Sequence, residues 1–116
     1  MITLNHKKLN VYQSSIDLVS EVYRLTEGFP RSENFGLISQ LRRATVSIPS
    51  NIAEGSSRFT DPERKRFLQI ARSSLVEVDT QIEIALKLRY LTNEDIIILT
   101  DLSNKVFAML SKMMKS

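Results

Sequence analysis

The side chains able to do acid–base or nucleophilic chemistry are few and poorly assorted. His6 is the only histidine, and there is no cysteine. A di-iron or di-manganese bundle takes a Glu-x-x-His motif from each of two helices, which one histidine cannot supply. Thiolate zinc sites, disulfides and cysteine nucleophiles are excluded by composition. A Ser-His-Asp arrangement would have to recruit His6, which stands in a polar N-terminal stretch and reads as a solvated terminal residue. A four-helix ribonuclease working through an Arg and a nearby His is unsupported for the same reason. No Gly-rich phosphate loop of either common type is present. Glu54 and Glu77 are the remaining carboxylates that could pair as acid and base, but nothing in their spacing specifies a substrate site, and structural hydrogen bonding is the simpler role. The chain therefore reads as a non-enzyme without metal or cofactor.

What is plentiful is guanidinium. Arg42 and Arg43 are adjacent, Arg58 precedes a third helical segment, and Arg64, Lys65, Arg66 and Arg72 occupy its first half. Glu77, Asp79 and Glu83 follow in its second half. Cations belong near a helix C-terminus, so this order costs about a few tenths of a kcal/mol per charge. Local stability does not explain it. An anionic ligand near Arg58–Arg72 would, as would an acidic surface on another subunit; solvation, with Asp61 and Glu63 offsetting the basic run, is the plainer account. Arg suits bidentate phosphate contact, and Arg42, Arg43, Arg58, Arg64 and Arg66 together would make a stripe that follows a nucleic-acid backbone. Phe59 and Phe67 lie near it; base stacking by Phe59 is conceivable, although both rings are more often core or interface residues.

A second polar feature runs along the second helical segment: Gln40, Arg43, Ser47, Ser50, Asn51, Glu54 and Arg58, three or four apart. Ser and Asn are mediocre helix formers, so this line, with Glu77, reads either as a network or subunit contact held by a neighbouring helix or as a solvated face.

Four amphipathic helices must position these groups. The first, about 9–27, repeats Leu9, Tyr12, Ile16, Val19, Tyr23 and Thr26 as its buried stripe, widened by Val11, Leu18, Val22 and Leu25. Gly28 is expected in the left-handed conformation that ends a helix, and Pro30 prevents continuation. The second, about 33–57, starts at Ser32 as N-cap and carries Ile38, Leu41, Thr45, Ile48 and Ile52, with a kink or a break at Pro49. The third, about 61–89, starts at Asp61-Pro62-Glu63, or one residue earlier as a Thr60/Glu63 capping box, and carries Leu68, Ala71, Leu75, Val78, Ile82 and Ala85. The fourth, about 93–114, is announced by Thr92 and Asp95 and carries Leu99, Leu102, Val106, Met109 and Met113. Short connections make successive helices antiparallel neighbours. The expected fold is all-α, a single up-down antiparallel four-helix bundle.

The chain has 116 residues, 25% of them charged, and a formal net charge of +3, with a pI near 9.4. That is a globular composition with a mildly basic balance, one footprint of nucleic-acid binding. No signal-peptide core and no membrane-length apolar run are present, which points to the cytoplasm.

The run Tyr23-Arg24-Leu25-Thr26, Phe29-Pro30 and Phe35 through Ala44 resembles the 23S rRNA-intervening-sequence family of four-helix bundle proteins. The likeness continues through Val46-Ser47-Ile48-Pro49-Ser50-Asn51-Ile52-Ala53-Glu54-Gly55, Arg58, Phe67–Arg72 and Ser74–Glu77 to Tyr90-Leu91. It covers nearly the whole chain. It implies an up-down four-helix bundle assembled as a ring-like homo-oligomer, a pentamer in known relatives. A related branch, the accessory proteins of diversity-generating retroelements, binds nucleic acid and a reverse transcriptase through basic surfaces. No catalytic activity is established for the family, so the resemblance implies no catalytic residues. Positions matching its basic motif are Arg42, Arg43, Arg58 and Arg72. The chain departs at Ser73, where relatives often have Gly. The expected function is a non-enzymatic oligomer that binds RNA or DNA through its arginines; the competing expectation is a scaffold oligomer that docks an acidic protein partner.

Overall fold

The computed structural model describes residues 1–115. Four long helices follow a short 3-10 turn at Asn5–Lys8: α1 (Asn10–Thr26), α2 (Leu37–Ser56), α3 (Asp61–Lys87) and α4 (Ile97–Lys115). There is no strand among the described residues. Each helix packs on its two chain neighbours and α4 closes back onto α1, with α2 against α3 the most extensive contact. The result is an up-down four-helix bundle, 44 × 27 × 21 Å.

The helix starts show how local chemistry sets the boundaries. Thr60 caps α3, its Oγ1 accepting from Glu63 N at 3.3 Å, which leaves Asp61 to pair with Arg64. Thr92 and Asp95 form a reciprocal box: Thr92 N donates to Asp95 Oδ2 at 2.8 Å and Asp95 N to Thr92 Oγ1 at 3.3 Å. The box closes a turn that leads into α4 at Ile97. Ser32 does not cap α2. It lies in a 3-10 turn, Arg31–Glu33, and Glu33 accepts from Leu37 N at 3.0 Å instead. A carboxylate reaching the first free amides uses the positive helix end better than a hydroxyl one turn earlier.

The helix ends differ more from expectation. No glycine adopts positive φ; Gly28 continues a tight turn, its N bonded to Leu25 O and Phe29 N to Thr26 O. Arg89 is the residue in the left-handed region, φ 64°. It follows α3, where Tyr90 N donates to Ala85 O at 2.9 Å in the six-to-one pattern that closes a helix C-terminus. α2 runs unbroken through the buried Pro49.

The core also corrects one stripe. On α1, Val11, Leu18, Val22 and Leu25 are buried, while Leu9, Ile16 and Tyr23 are exposed. Both sets satisfy three-four spacing, and only the placement of α2 and α4 decides which faces inward. On α2 and α3 the expected positions, Ile38 through Ile52 and Leu68 through Ala85, are all buried. α4 buries Leu99 and Val106 as expected and adds Leu110. α2 and α3 approach closely at Gly55: a Cβ there would stand 3.2 Å from both Arg64 O and Phe67 Cβ. That contact fixes the geometry of the turn between them.

Candidate functional site

The six arginines do not form one continuous face. Arg42 turns toward α1, where its Nε donates to Thr26 Oγ1 at 3.0 Å and its guanidinium lies 4.4 Å over the Tyr23 ring. Arg72 turns the other way, to α4, donating to Ser111 Oγ at 3.0 Å and covering the Phe107 ring at 4.4 Å. Both guanidiniums brace their own bundle. Arg43 is exposed on the outer surface of α2.

Arg58, Arg64 and Arg66 do converge, at the turn joining α2 to α3. The Arg58 guanidinium lies 4.6 Å over the Phe67 ring and that of Arg66 lies 5.8 Å from it, so one half-buried phenyl organises two cations. Arg58 also pairs with Glu54 at 3.0 Å, and Arg64 with Asp61. Both pairs are solvent-exposed and contribute little to stability. Among the described residues Arg43 and Arg66 make no ion pair and no side-chain hydrogen bond. Phe59, between Arg58 and the α3 cap, is fully exposed at 104%.

This cluster sits at one pole of the molecule. Antiparallel packing brings the N-termini of α1 and α3 together with the C-termini of α2 and α4. Divided at the helix midpoints, that pole carries nine Lys or Arg and four Asp or Glu, whereas the other carries seven and nine. The basic half of α3 and the lysines at 7, 8, 112 and 115 thus share one end, and Glu77, Asp79, Glu83, Glu94 and Asp95 the other. A cleft of about 740 Å³ opens at the basic pole, with Leu9, Leu68 and Met113 on its walls and His6, Glu54 and Arg64 at its rim. His6 is half-buried there, its ring edge-on to Tyr12 at 4.8 Å, so it is held rather than solvated.

The polar line on α2 divides. Ser47 Oγ and Ser74 Oγ lie 2.9 Å apart across the α2–α3 seam, and Asn51 Nδ2 donates to Ser47 O at 2.8 Å and to Ser47 Oγ at 2.9 Å. These small side chains satisfy one another within one chain. Ser74 and Gln81 are the members that sequence reasoning missed; each is a polar residue among apolar neighbours on α3, and only pairing with α2 distinguishes them. Gln81 Nε2 reaches Gln40 Oε1 at 3.5 Å and Glu77 Oε2 at 3.4 Å, both long contacts. Glu54 and Glu77 are exposed. Because Gly55 faces Arg64 and Phe67 while Ser47 faces Ser74, Glu54 and Glu77 stand about ten residues apart in register, roughly 15 Å along the axis. That separation does not make an acid–base pair. No cluster of potential metal ligands occurs among the described residues, and no helix among them is long and apolar enough to cross a membrane.

Beside the seam the outer surface retains apolar side chains. Val46 on α2 and Ile70, Ile84 and Leu88 on α3 are exposed. At 100° per residue, the three α3 positions share one arc with Arg66, Ser73 and Glu77.

The model of the 23S rRNA-intervening sequence protein family matches residues 7–112. Among solved structures, a protein of unknown function from the S23 ribosomal protein family of Bacteroides thetaiotaomicron superposes with a TM-score of 0.83 at 20% identity, over 91% of this chain and 99% of that one. That likeness concerns the fold. Among curated proteins none matches the chain.

Proposed function

The chain belongs to the 23S rRNA-intervening sequence protein family, and from that premise we propose that it is a non-enzymatic, homo-oligomeric RNA-binding module whose contact region is the basic pole. The observation that carries this reading is the placing of Arg58 and Arg66 over Phe67, with Arg64 beside them on Asp61, on the end of the bundle where cations exceed acids by five. A polyanion that approaches this end meets Arg66 without an ion pair and finds Arg58 and Arg64 paired with exposed carboxylates, which phosphate oxygens can replace at little cost. Arg43 adds a further free cation on the outer surface of α2. Arg72 supports the region by bracing α4 rather than by touching ligand, and Arg42 braces α1 at the opposite end.

Assembly is supported by the exposed Val46, Ile70, Ile84 and Leu88 beside the α2–α3 seam; five subunits is the number the resemblance implies. Native mass measured with and without nuclease treatment reads assembly and bound polyanion together. RNA affinity, measured as a function of salt, should fall linearly in log–log form, with the slope reduced by about 0.7 for each phosphate contact to a single strand that is removed. Arg66→Ala should weaken binding across all sequences while the bundle stays folded. Affinity that is absent at low salt or indifferent to salt would sink the reading, and a co-purifying acidic protein with no nucleic-acid binding would put a protein-docking scaffold in its place.

A further inference from the structure

Phe59 has no packing role. Its side chain is fully exposed, at 104%, in a turn whose other members, Ser57, Arg58 and Thr60, are exposed and polar. It contrasts with Phe67 one turn into α3, which is half-buried and covered by two guanidiniums. Leaving a phenyl in water forgoes the free energy of burying it, and no contact in the bundle recovers it. The backbone that carries the ring is fixed: the α2–α3 approach at Gly55 and the Thr60 cap hold both flanks of a short turn, so the ring projects into solvent next in sequence to Arg58.

We propose that this turn binds unpaired nucleotides, with a base stacked on the exposed face of Phe59 and its flanking phosphates held by Arg58 and Arg66; the inference rests on the RNA-binding reading above and assigns its substrate class. An exposed apolar ring in the same turn as Arg58, whose guanidinium shares the Phe67 ring with that of Arg66, suits a nucleotide, which presents a π-face and an anion within one residue. Duplexes cannot use it, because their base faces are already stacked inside the helix and only phosphates and groove edges remain outside. Single strands, loops and bulges can. Stacking on an aromatic side chain tolerates every base, so the turn selects unpaired structure rather than sequence. A second copy apposed by the same pole is disfavoured, since it would bring like charges together, and one apposed by its acidic pole is read out by native mass in the test below.

The chain contains no tryptophan and three tyrosines, so Phe59→Trp installs a single tryptophan at the site, excited selectively at the red edge where tyrosine does not absorb. Titration of this variant with single-stranded oligoadenylate should quench its emission in parallel with binding, whereas an RNA duplex of equal length should bind without quenching. Phe59→Ala should weaken oligoadenylate binding by about five- to a hundredfold, the range seen for one stacked base, and leave duplex binding within twofold. Native mass should not change in either variant. The proposal is overturned if Phe59→Ala leaves single-strand affinity unchanged, if it weakens single strand and duplex equally, or if it alters the assembly, which would make the ring a subunit contact. In those outcomes the salt-dependent binding of the parent chain and its loss in Arg66→Ala still report on the basic pole separately. A parent chain that binds neither RNA form overturns both.

Discussion

Thr45 is fully buried on α2, and its Oγ1 has no hydrogen-bond partner. It also stands four residues before Pro49, which has no N–H to offer the Thr45 carbonyl. A buried hydroxyl without a partner carries an uncompensated desolvation cost, and removing it while preserving the branched shape relieves that cost. Thr45→Val should therefore raise stability by about 1 kcal/mol, read as a higher urea midpoint at unchanged slope; a lower midpoint would show that the hydroxyl is satisfied in solution. At this scale the sequence displayed the arginines but not their loyalties. Arg42 and Arg43 are adjacent and alike in type, yet a 100° turn sends one to Thr26 and Tyr23 and the other to solvent.

Elements were legible where punctuation was local. Thr60, Thr92 and Asp95 act through amides three residues away; Thr60 caps α3 where the sequence put its start, whereas the Thr92/Asp95 box closes a turn and α4 begins at Ile97, four residues after the expected start. The end of α3 had no such mark, because the left-handed position is filled by Arg89 and not by glycine. A side chain in that conformation costs about 1–2 kcal/mol, partly offset by the smaller entropy that a non-glycine residue loses on folding. Arg89→Gly should consequently stabilise the bundle by about 0.5–1 kcal/mol, while Arg89→Ala should not; equal midpoints for the two variants would exclude the conformational explanation. The buried stripe of α1 was misplaced for a related reason. Its apolar arc is broad enough to contain two three-four series, and the side that buries is chosen by α2 and α4, not by α1.

Across the whole molecule, the two poles differ in how their charges are used. At the acidic pole, Glu33 accepts from Leu37 N and, at 2.9 Å, from Tyr90 Oη; these bonds, the Leu37 amide first, hold its carboxyl below the ordinary 4.5. Asp95 is held below the ordinary 3.8 by the Thr92 amide, then the Thr92 hydroxyl, with Arg24 adding attraction. Groups whose acidity is strengthened by folding contribute stability above their ordinary values, and that contribution is lost as pH falls through the lower folded values. The bundle should therefore weaken below about pH 4. Tyr90→Phe, which removes one of Glu33's donors, should lower the thermal midpoint at pH 7 and approach the parent as acid neutralises Glu33; a gap of unchanged size at pH 3 would contradict this. At the basic pole the cation of Arg66 is committed to no such bond.

Four amphipathic segments, the starts of α1 and α3, the buried faces of α2 and α3, and the shortage of acid–base groups follow from sequence alone, because periodicity, capping and composition act within a few residues. Only the tertiary structure decided which arginines meet. Antiparallel packing folds the charge gradient of α3 onto the ends of three other helices, separating a basic pole from an acidic one, and it divides the expected stripe of five arginines: Arg58 and Arg66 lie over Phe67 with Arg64 paired to Asp61 beside them, Arg42 braces α1 and Arg43 stands alone. Contacts between residues far apart in the chain carry that decision, and no local pattern encodes them.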